Sequence, residues 1–575
     1  MRINFLDSFQ PTLVHTLKTY NKEKFMADLM SGLIVGVVAL PLAIAFGIAS
    51  GVTPEKGIYT AIMAGFIISF LGGSTVQIGG PTGAFIVIVY GIVEQYGVQG
   101  LAIATFMAGI MLVLMGFMKL GSIIKFVPYP IVVGFTSGIA LTIFSTQIKD
   151  FFGLTTPVLP SGFIEKWAIY LNNFDSINLW VTLIAIASVG IIILTPKISK
   201  KVPGSLIAII VMTVVVYFMN NYANIGAIET IGDRFIIQNQ LPQIKQLSIS
   251  LESIRILFPS AFTIAMLCAI ESLLSATVAD GVTGKKHNSN MELVAQGAAN
   301  MIVPFFGGIP ATGAIARTMT NINNGGRTPV AGIIHAIVLL LIVLFLGDLT
   351  RHIPMACLAG ILVIVAYNMS EWRTFVSLFK QSASTRAILL TTFLLTVIID
   401  LTVAIAVGLL LAVFAFLKRL NESTEVSHTT GELDLSTESE TQSNGDENEV
   451  LQLPDTVEVY EIRGPFFFGV ANKFDEKMRL SGKHHDIRII RMRRVPFIDS
   501  TGLNNLEILC SNSRKEKIQV ILSGVNSDVR KKIEKSNIPD IVGRENICSN
   551  IHLAVERAEE LHIQNVEHLE RSLED

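Results

Sequence analysis

The chain has 575 residues, 51% of them hydrophobic and only 16% charged. A soluble protein of this length is roughly one-quarter charged, so a wholly soluble protein is excluded. The net charge of −2 gives no footing for nucleic acid as a partner. The four cysteines, Cys268, Cys357, Cys510 and Cys548, are scattered without a CxxC and suggest neither a metal site nor a disulfide framework.

Residues 1–27 form an N-terminal segment with Lys18, Lys22 and Lys24, and no cleavable signal peptide is expected there. Residues 28–420 carry apolar runs at 29–50, 57–72, 82–97, 100–118, 123–147, 178–194, 203–220, 257–283, 291–306, 313–323, 328–347, 352–368, 384–399 and 401–417. These are about 14 membrane elements, some too short to cross the ~30 Å apolar core of a bilayer as helices. Basic residues follow the even-numbered elements from the fourth on: Lys119 and Lys125, Lys197 with Lys200 and Lys201, Lys285 and Lys286, Arg327, Lys380 and Arg386, and Lys418 with Arg419. That bias marks the cytoplasmic side and places both termini there, in a multi-pass protein of the cell (inner) membrane.

Residues 421–453 are rich in Ser, Thr, Glu, Asp and Asn, lack Lys and Arg, and read as an acidic flexible linker. Residues 454–575 read as a small α/β domain. Strands are expected at 457–462, 487–492 and 517–523, and helices at 471–480, 502–515, 528–536 and 550–561.

Two stretches resemble each other: Gly79-Gly80-Pro81-Thr82-Gly83-Ala84 and Gly307-Gly308-Ile309-Pro310-Ala311-Thr312-Gly313-Ala314. They fall at the third and tenth elements, equivalent places in two halves of seven. An odd number of spans per half inverts one half relative to the other. Paired Gly/Pro-interrupted segments are the best sequence pointer to a transporter binding site. Proline fits a first helical turn, glycine admits close approach, and the unpaired N–H groups of a helix start attract an anion. Gly/Pro clusters also serve as simple turns or packing points.

Glu271 lies mid-segment, where a carboxylate is expensive unless paired or protonated. Arg317 lies just past the second cluster. Together they suggest coupling: ionised Glu271 holds Arg317, and protonation releases Arg317 to an anion, so that a proton travels with it. A structural ion pair is the alternative. Asp280 reads as a gate or cap, Asp400 as a turn residue, His335 as a packed helix residue, and Pro41 as a kink or an unwound segment. No Ser/His/Asp, metal or P-loop arrangement is legible, so neither an enzyme nor a cofactor is expected.

Ala39-Leu40-Pro41, Gly80-Pro81-Thr82-Gly83, Ala269-Ile270-Glu271-Ser272-Leu273-Leu274 and Asn323-Asn324-Gly325-Gly326-Arg327-Thr328 resemble the SulP family, the sulfate permeases and solute carrier family 26. Ile498-Asp499-Ser500-Thr501-Gly502-Leu503 resembles a STAS domain. The resemblance implies a mainly α membrane protein of 7+7 inverted repeats with a small cytoplasmic α/β STAS domain, an elevator motion and a homodimer. It implies that Thr82, Gly83, Ala84, Gly313, Ala314 and Arg317 line the anion site. Glu271 and Arg317 resemble the acid–arginine pair of proton-coupled sulfate members, while Glu271 and Ser275 match positions that serve sodium in bicarbonate-transporting members. Ser500 or Thr501 matches a phosphorylated turn, and the same residues are ordinary helix caps. A cytoplasmic partner of the STAS domain is implied, with membrane lipid around the spans. Leu42 stands where sulfate-type relatives usually have Gln, which leaves sulfate, bicarbonate, chloride and dicarboxylates open. Proton-coupled sulfate symport is the expected function. Sodium-coupled transport, exchange, a channel, or an anion-sensing signalling protein are the alternatives.

Overall fold

In the computed structural model the apolar runs become helices, the secondary structure that satisfies its own backbone groups where water is absent. The structure describes residues 9–122, 127–160, 162–198, 203–222, 227–235, 243–244, 246–399, 401–434, 450–468 and 485–574. The chain divides into two units, Met1–Ala412 and Val413–Asp575.

The first unit contains α1 (Thr12–Leu17), α2 (Lys22–Ala49), α3 (Pro54–Leu71), strand β1 (Gly79–Gly80), α4 (Ile86–Phe117), α5 (Tyr129–Phe152), α6 (Phe163–Asn172), α7 (Leu179–Ile198), α8 (Gly204–Tyr222) and α9 (Ile231–Arg234). It continues with α10 (Leu251–Thr283), α11 (Ser289–Ile302), strand β2 (Thr312–Gly313), α12 (Ile315–Asn323), α13 (Val330–Thr350), α14 (Met355–Met369), α15 (Trp372–Phe379), α16 (Ala383–Ile398) and α17 (Leu401–Ser423), the last of which crosses the boundary between the units. Among the described residues, nine helical spans are long and apolar enough to cross a membrane. The protein is therefore an integral, multi-pass membrane protein. Others are short: α11 has 14 residues, α12 has 9 and α16 has 16.

The runs at 82–97 and 100–118 are separate, as the sequence pattern has them: within α4 two helices meet at a kink at Gly97, whose φ of 69° no helix accommodates. Two details differ from the sequence pattern. Pro41 neither ends nor unwinds α2, which continues through it to Ala49. Four short helices, α1, α6, α9 and α15, lie in stretches without a long apolar run. Asp400 lies outside the described residues.

Helix α4 packs against both α10 and α11. A Cβ on Gly109 would lie 2.6 Å from the Met301 backbone nitrogen, so only glycine lets α4 and α11 approach this closely. The Asn323–Thr328 motif is the turn from α12 to α13, docked on buried Asp28 of α2. The Asp28 carboxylate accepts from the Arg327 and Thr328 N–H groups at 3.0 and 3.2 Å and from the Thr328 hydroxyl.

The second unit is a five-stranded sheet in the order β3-β6-β7-β8-β9. Its strands are β3 (Glu425–Thr430), β6 (Val457–Arg463), β7 (Ile487–Arg494), β8 (Gln519–Ser523) and β9 (Ile547–Cys548). Strand β3 is antiparallel to β6 and the remaining pairs are parallel. Helices α18 (Ser500–Lys515), α19 (Ser527–Ile533) and α20 (Ile538–Val542) pack around the core of Tyr460, Ile462, Ile490 and Leu506. Helix α21 (Ile551–Glu574) covers the opposite face through Ile551, Ala554, Val555, Ala558 and Leu561.

The linker expected at 421–453 is corrected at both ends. Residues 425–430 are β3, whose Val426 enters the core, and β4 (Glu432–Asp434) pairs with β5 (Val450–Gln452). The polar composition hid a period-two strand that needs only one buried apolar residue on an edge. The rest of the linker, 435–449, and the helix expected at 471–480 lie outside the described residues.

Candidate functional site

From Gly72 the chain leaves α3 and runs without helix to Thr82, so its buried backbone groups need partners from elsewhere. The Gly73 and Ser74 N–H groups donate to the Glu292 carboxylate at 2.9 and 3.1 Å. Asn321 donates to the Val76 carbonyl at 2.8 Å, and the Ile78 N–H donates to the Thr318 hydroxyl at 3.1 Å. The second cluster is held in the same way. Ile309 N–H donates to the Thr60 hydroxyl at 2.7 Å, and Asn300 both donates to and accepts from the Ala311 backbone at 2.8 and 2.9 Å.

The two clusters meet at their glycines. Strand β1 pairs antiparallel with β2, with Gly79 opposite Gly313 and Gly80 opposite Thr312. Two inverted halves would bring equivalent segments together in this sense. Beyond the bridge each strand turns into a helix: the tight turn Gly83–Phe85 leads into α4, and Ala314 leads into α12. Neither start is capped by a side chain. Thr82, Gly83 and Ala84 at one start and Gly313 and Ala314 at the other are thus brought together, with first-turn N–H groups available to an anion.

Arg317 sits on the first turn of α12 and is 2% exposed. One guanidinium nitrogen donates to the Pro81 carbonyl at 3.0 Å. The other, Nη1, is buried with no partner among the described residues. It lies against Gly80, where any Cβ would collide with it. Glu271, on α10, accepts from the Thr82 hydroxyl at 2.8 Å. The expected Glu271–Arg317 ion pair is not formed. Each charge instead holds one residue of the Pro81–Thr82 dipeptide, Arg317 the Pro81 carbonyl and Glu271 the Thr82 hydroxyl. Ser275, one turn further along α10 and on the same helix face as Glu271, donates to the Thr318 hydroxyl at 3.4 Å.

The sequence pattern missed the scaffold beneath the bridge. Glu292, Gln296 and Asn300 form a buried polar ladder on α11. The Glu292 carboxylate accepts from Gln77 at 3.1 Å and from Gln296 at 2.8 Å, besides the two backbone N–H groups. Gln77 also donates to the Ser272 carbonyl at 3.1 Å and lies so close over Gly313 that a Cβ there would clash with its amide. The signal was present as three polar residues spaced i, i+4 and i+8 within an apolar run.

Asp280 acts as a cap. It accepts from the His287 N–H at 3.0 Å and contacts the His287 ring at 2.7 Å, and the other ring nitrogen meets Ser289 at 2.9 Å, closing the α10–α11 turn. His335 is buried against Gly65, as a packed helix residue should be. In the C-terminal unit, Asp499 is the N-cap of α18 and accepts from Gly502 N–H at 2.6 Å. Ser500 and Thr501 are exposed on the first turn of α18.

Comparison with known proteins gives the family and the fold. The sulfate permease family model matches residues 25–392 and the STAS domain model matches 450–558. The Bacillus subtilis protein YvdB, named as a candidate sulfate transporter, is 41% identical over 533 residues, covering 92% of this chain and 97% of that protein. The bicarbonate transporter BicA of Picosynechococcus sp. is 31% identical over 550 residues, covering 92% and 95%. Murine Slc26a9, an anion transporter solved in its inward-facing state, shares the fold with a TM-score of 0.84 at 19% identity, over 97% of this chain and 95% of that one. The transmembrane domain of a cyanobacterial BicA matches with a TM-score of 0.60 at 32% identity, over 67% and 98%.

Proposed function

The chain belongs to the sulfate permease family and carries a C-terminal STAS domain, and from that premise we propose that it moves sulfate by proton-coupled symport. The observation that carries the reading is the pair of uncapped helix starts, joined by the β1–β2 bridge and flanked by the buried, half-satisfied guanidinium of Arg317. An oxyanion seated there would accept from first-turn N–H groups near Gly83, Ala84 and Ile315 and from Arg317. The Thr82 hydroxyl, now donating to Glu271, would be the switch. Ionised Glu271 engages Thr82 and places a negative charge beside the site, which opposes an incoming anion. Protonated Glu271 removes that charge, so proton and anion load together.

The site then crosses the membrane by an elevator motion of the helices that carry it. Both termini lie in the cytoplasm, the protein sits in the cell membrane, and it works as a homodimer. Sodium-coupled bicarbonate transport is the second reading, favoured by the 31% identity to BicA. In that case the ion would sit near Glu271 and Ser275.

Uptake of labelled sulfate, bicarbonate and succinate into proteoliposomes, under separate proton and sodium gradients, tests the choice. Proton-driven sulfate accumulation is expected. Sodium-driven bicarbonate uptake with no response to protons would replace the first reading by the second.

A further inference from the structure

Away from the bridge, a cavity of about 830 Å³ runs along the first half of α4. It begins at Ile86, the residue after the first turn, and extends to Glu94 and Gln95, a rise of about 12 Å along the helix. Its far wall includes Ser260 of α10, about 30 Å along that helix from the Asp280 turn. A second cavity of about 110 Å³ adjoins it across Tyr90, Thr146 and Lys166, which line both.

Lys166, on α6, is 3% exposed. Among the described residues its ammonium makes no ion pair, and its close neighbour is the Tyr90 ring, 5.4 Å away at the centroid. The other charges nearby are paired or lie at the rim. Arg234 is bound by Asp150 at 2.8 Å and by Glu229 at 2.5 Å. Glu94 and Glu165 are exposed at the rim of the same cavity, and the Glu94 charge acts on the ammonium from there. Tyr90 is fixed by donating to the Leu159 carbonyl at 3.1 Å, and α6 is tied to α5 by Trp167 donating to Ser145 at 2.9 Å. A buried ammonium without an ion pair is costly; the Tyr90 ring and the exposed Glu94 charge offset that cost in part, and an anion seated in the cavity would offset the rest.

We propose that Lys166 is the floor of a second oxyanion site, a way station between the α6 end of the membrane unit and the helix starts. The ligand is a small free oxyanion of the transported class. It accepts from the ammonium and leaves along α4 toward Gly83. The site itself follows from Lys166 and its cavities; its place on a route rests on the transport reading.

Full-length protein in detergent, treated with formaldehyde and a mild hydride reductant, reports access to Lys166 as methylation read by peptide mass spectrometry. Sodium sulfate should slow methylation of Lys166 and leave exposed Lys285 unchanged, in the native chain and in Arg317→Ala alike. Protection by anionic lipid but not by sulfate would make the cavity a headgroup site and overturn the proposal, as would protection by neither. In proteoliposomes, Lys166→Met should raise the KM for sulfate about tenfold with Vmax within about twofold, while Lys166→Arg stays near the native value. A KM that Lys166→Met leaves unchanged would also overturn it. Protection of Lys166 without uptake of any anion would remove the transport reading and leave this site standing.

Discussion

The two units of the chain bury charge in opposite ways. Around the bridge in the membrane unit, Arg317, Glu271, Glu292 and Asp28 are held by neutral donors and acceptors, and none is in an ion pair among the described residues. In the C-terminal unit, buried charges come paired, within a strand or across neighbouring ones. Arg488 meets Glu458 at 2.7 Å and donates to Ser513 at 2.7 Å, and Glu461 meets Arg463 at 2.8 Å and Arg491 at 3.9 Å. A paired buried charge is fixed, because separating it leaves its partner uncompensated. An unpaired one, held by a hydroxyl or a carbonyl, exchanges that partner for a ligand at much lower cost. Around the bridge the membrane unit keeps its charges available, and the C-terminal unit uses them as ties.

The largest effect that would break this contrast is expected at Arg317. Arg317→Ala should lower sulfate uptake at least about 100-fold while the protein still elutes as one folded species in size-exclusion chromatography. In the other unit, Arg488→Ala should destabilise the C-terminal fold by about 3–5 kcal/mol, seen in the full-length protein as lost hydrogen-exchange protection in β6 and β7. Arg488→Met combined with Glu458→Leu should restore much of that protection, which a functional charge at that place would not allow.

A middling effect is expected at the bridge itself. Gly313→Ala should reduce uptake about tenfold by pushing the Gln77 amide aside and misplacing the second helix start, and adding Gln77→Ala should recover part of it. The smallest effect concerns Cys510, whose thiol burial pushes up to about 12. It should resist thiol-specific labelling at pH 8 in the folded chain and react on unfolding. The native state holds that proton when the unfolded chain has released it, so this thiol's contribution to stability is present below about pH 8.5 and is lost as the pH rises above it.

Much of the site could be read from residue order alone. The Gly/Pro clusters identify both helix starts because few other residues build an uncapped start beside a close backbone approach. What stayed hidden depended on distance. Glu271 and Arg317 look like partners in a sequence, yet the Pro81–Thr82 dipeptide lies between them. Glu292, Gln296 and Asn300 were absorbed into an apolar run, though their spacing marks a buried face. Strand β3 was masked by the polar composition around a single buried Val426. Lys166 lay in a stretch with no long apolar run, and only folding places it inside a cavity.

The most direct test follows the proton. Sealed proteoliposomes loaded with a pH-sensitive dye, given an inward sulfate gradient and no imposed pH gradient, should acidify inside as sulfate enters. Glu271→Gln should abolish the acidification while sulfate still exchanges across the membrane. Sulfate entry without acidification in the native chain, or equal acidification in Glu271→Gln, would contradict a proton carried on the unpaired carboxylate.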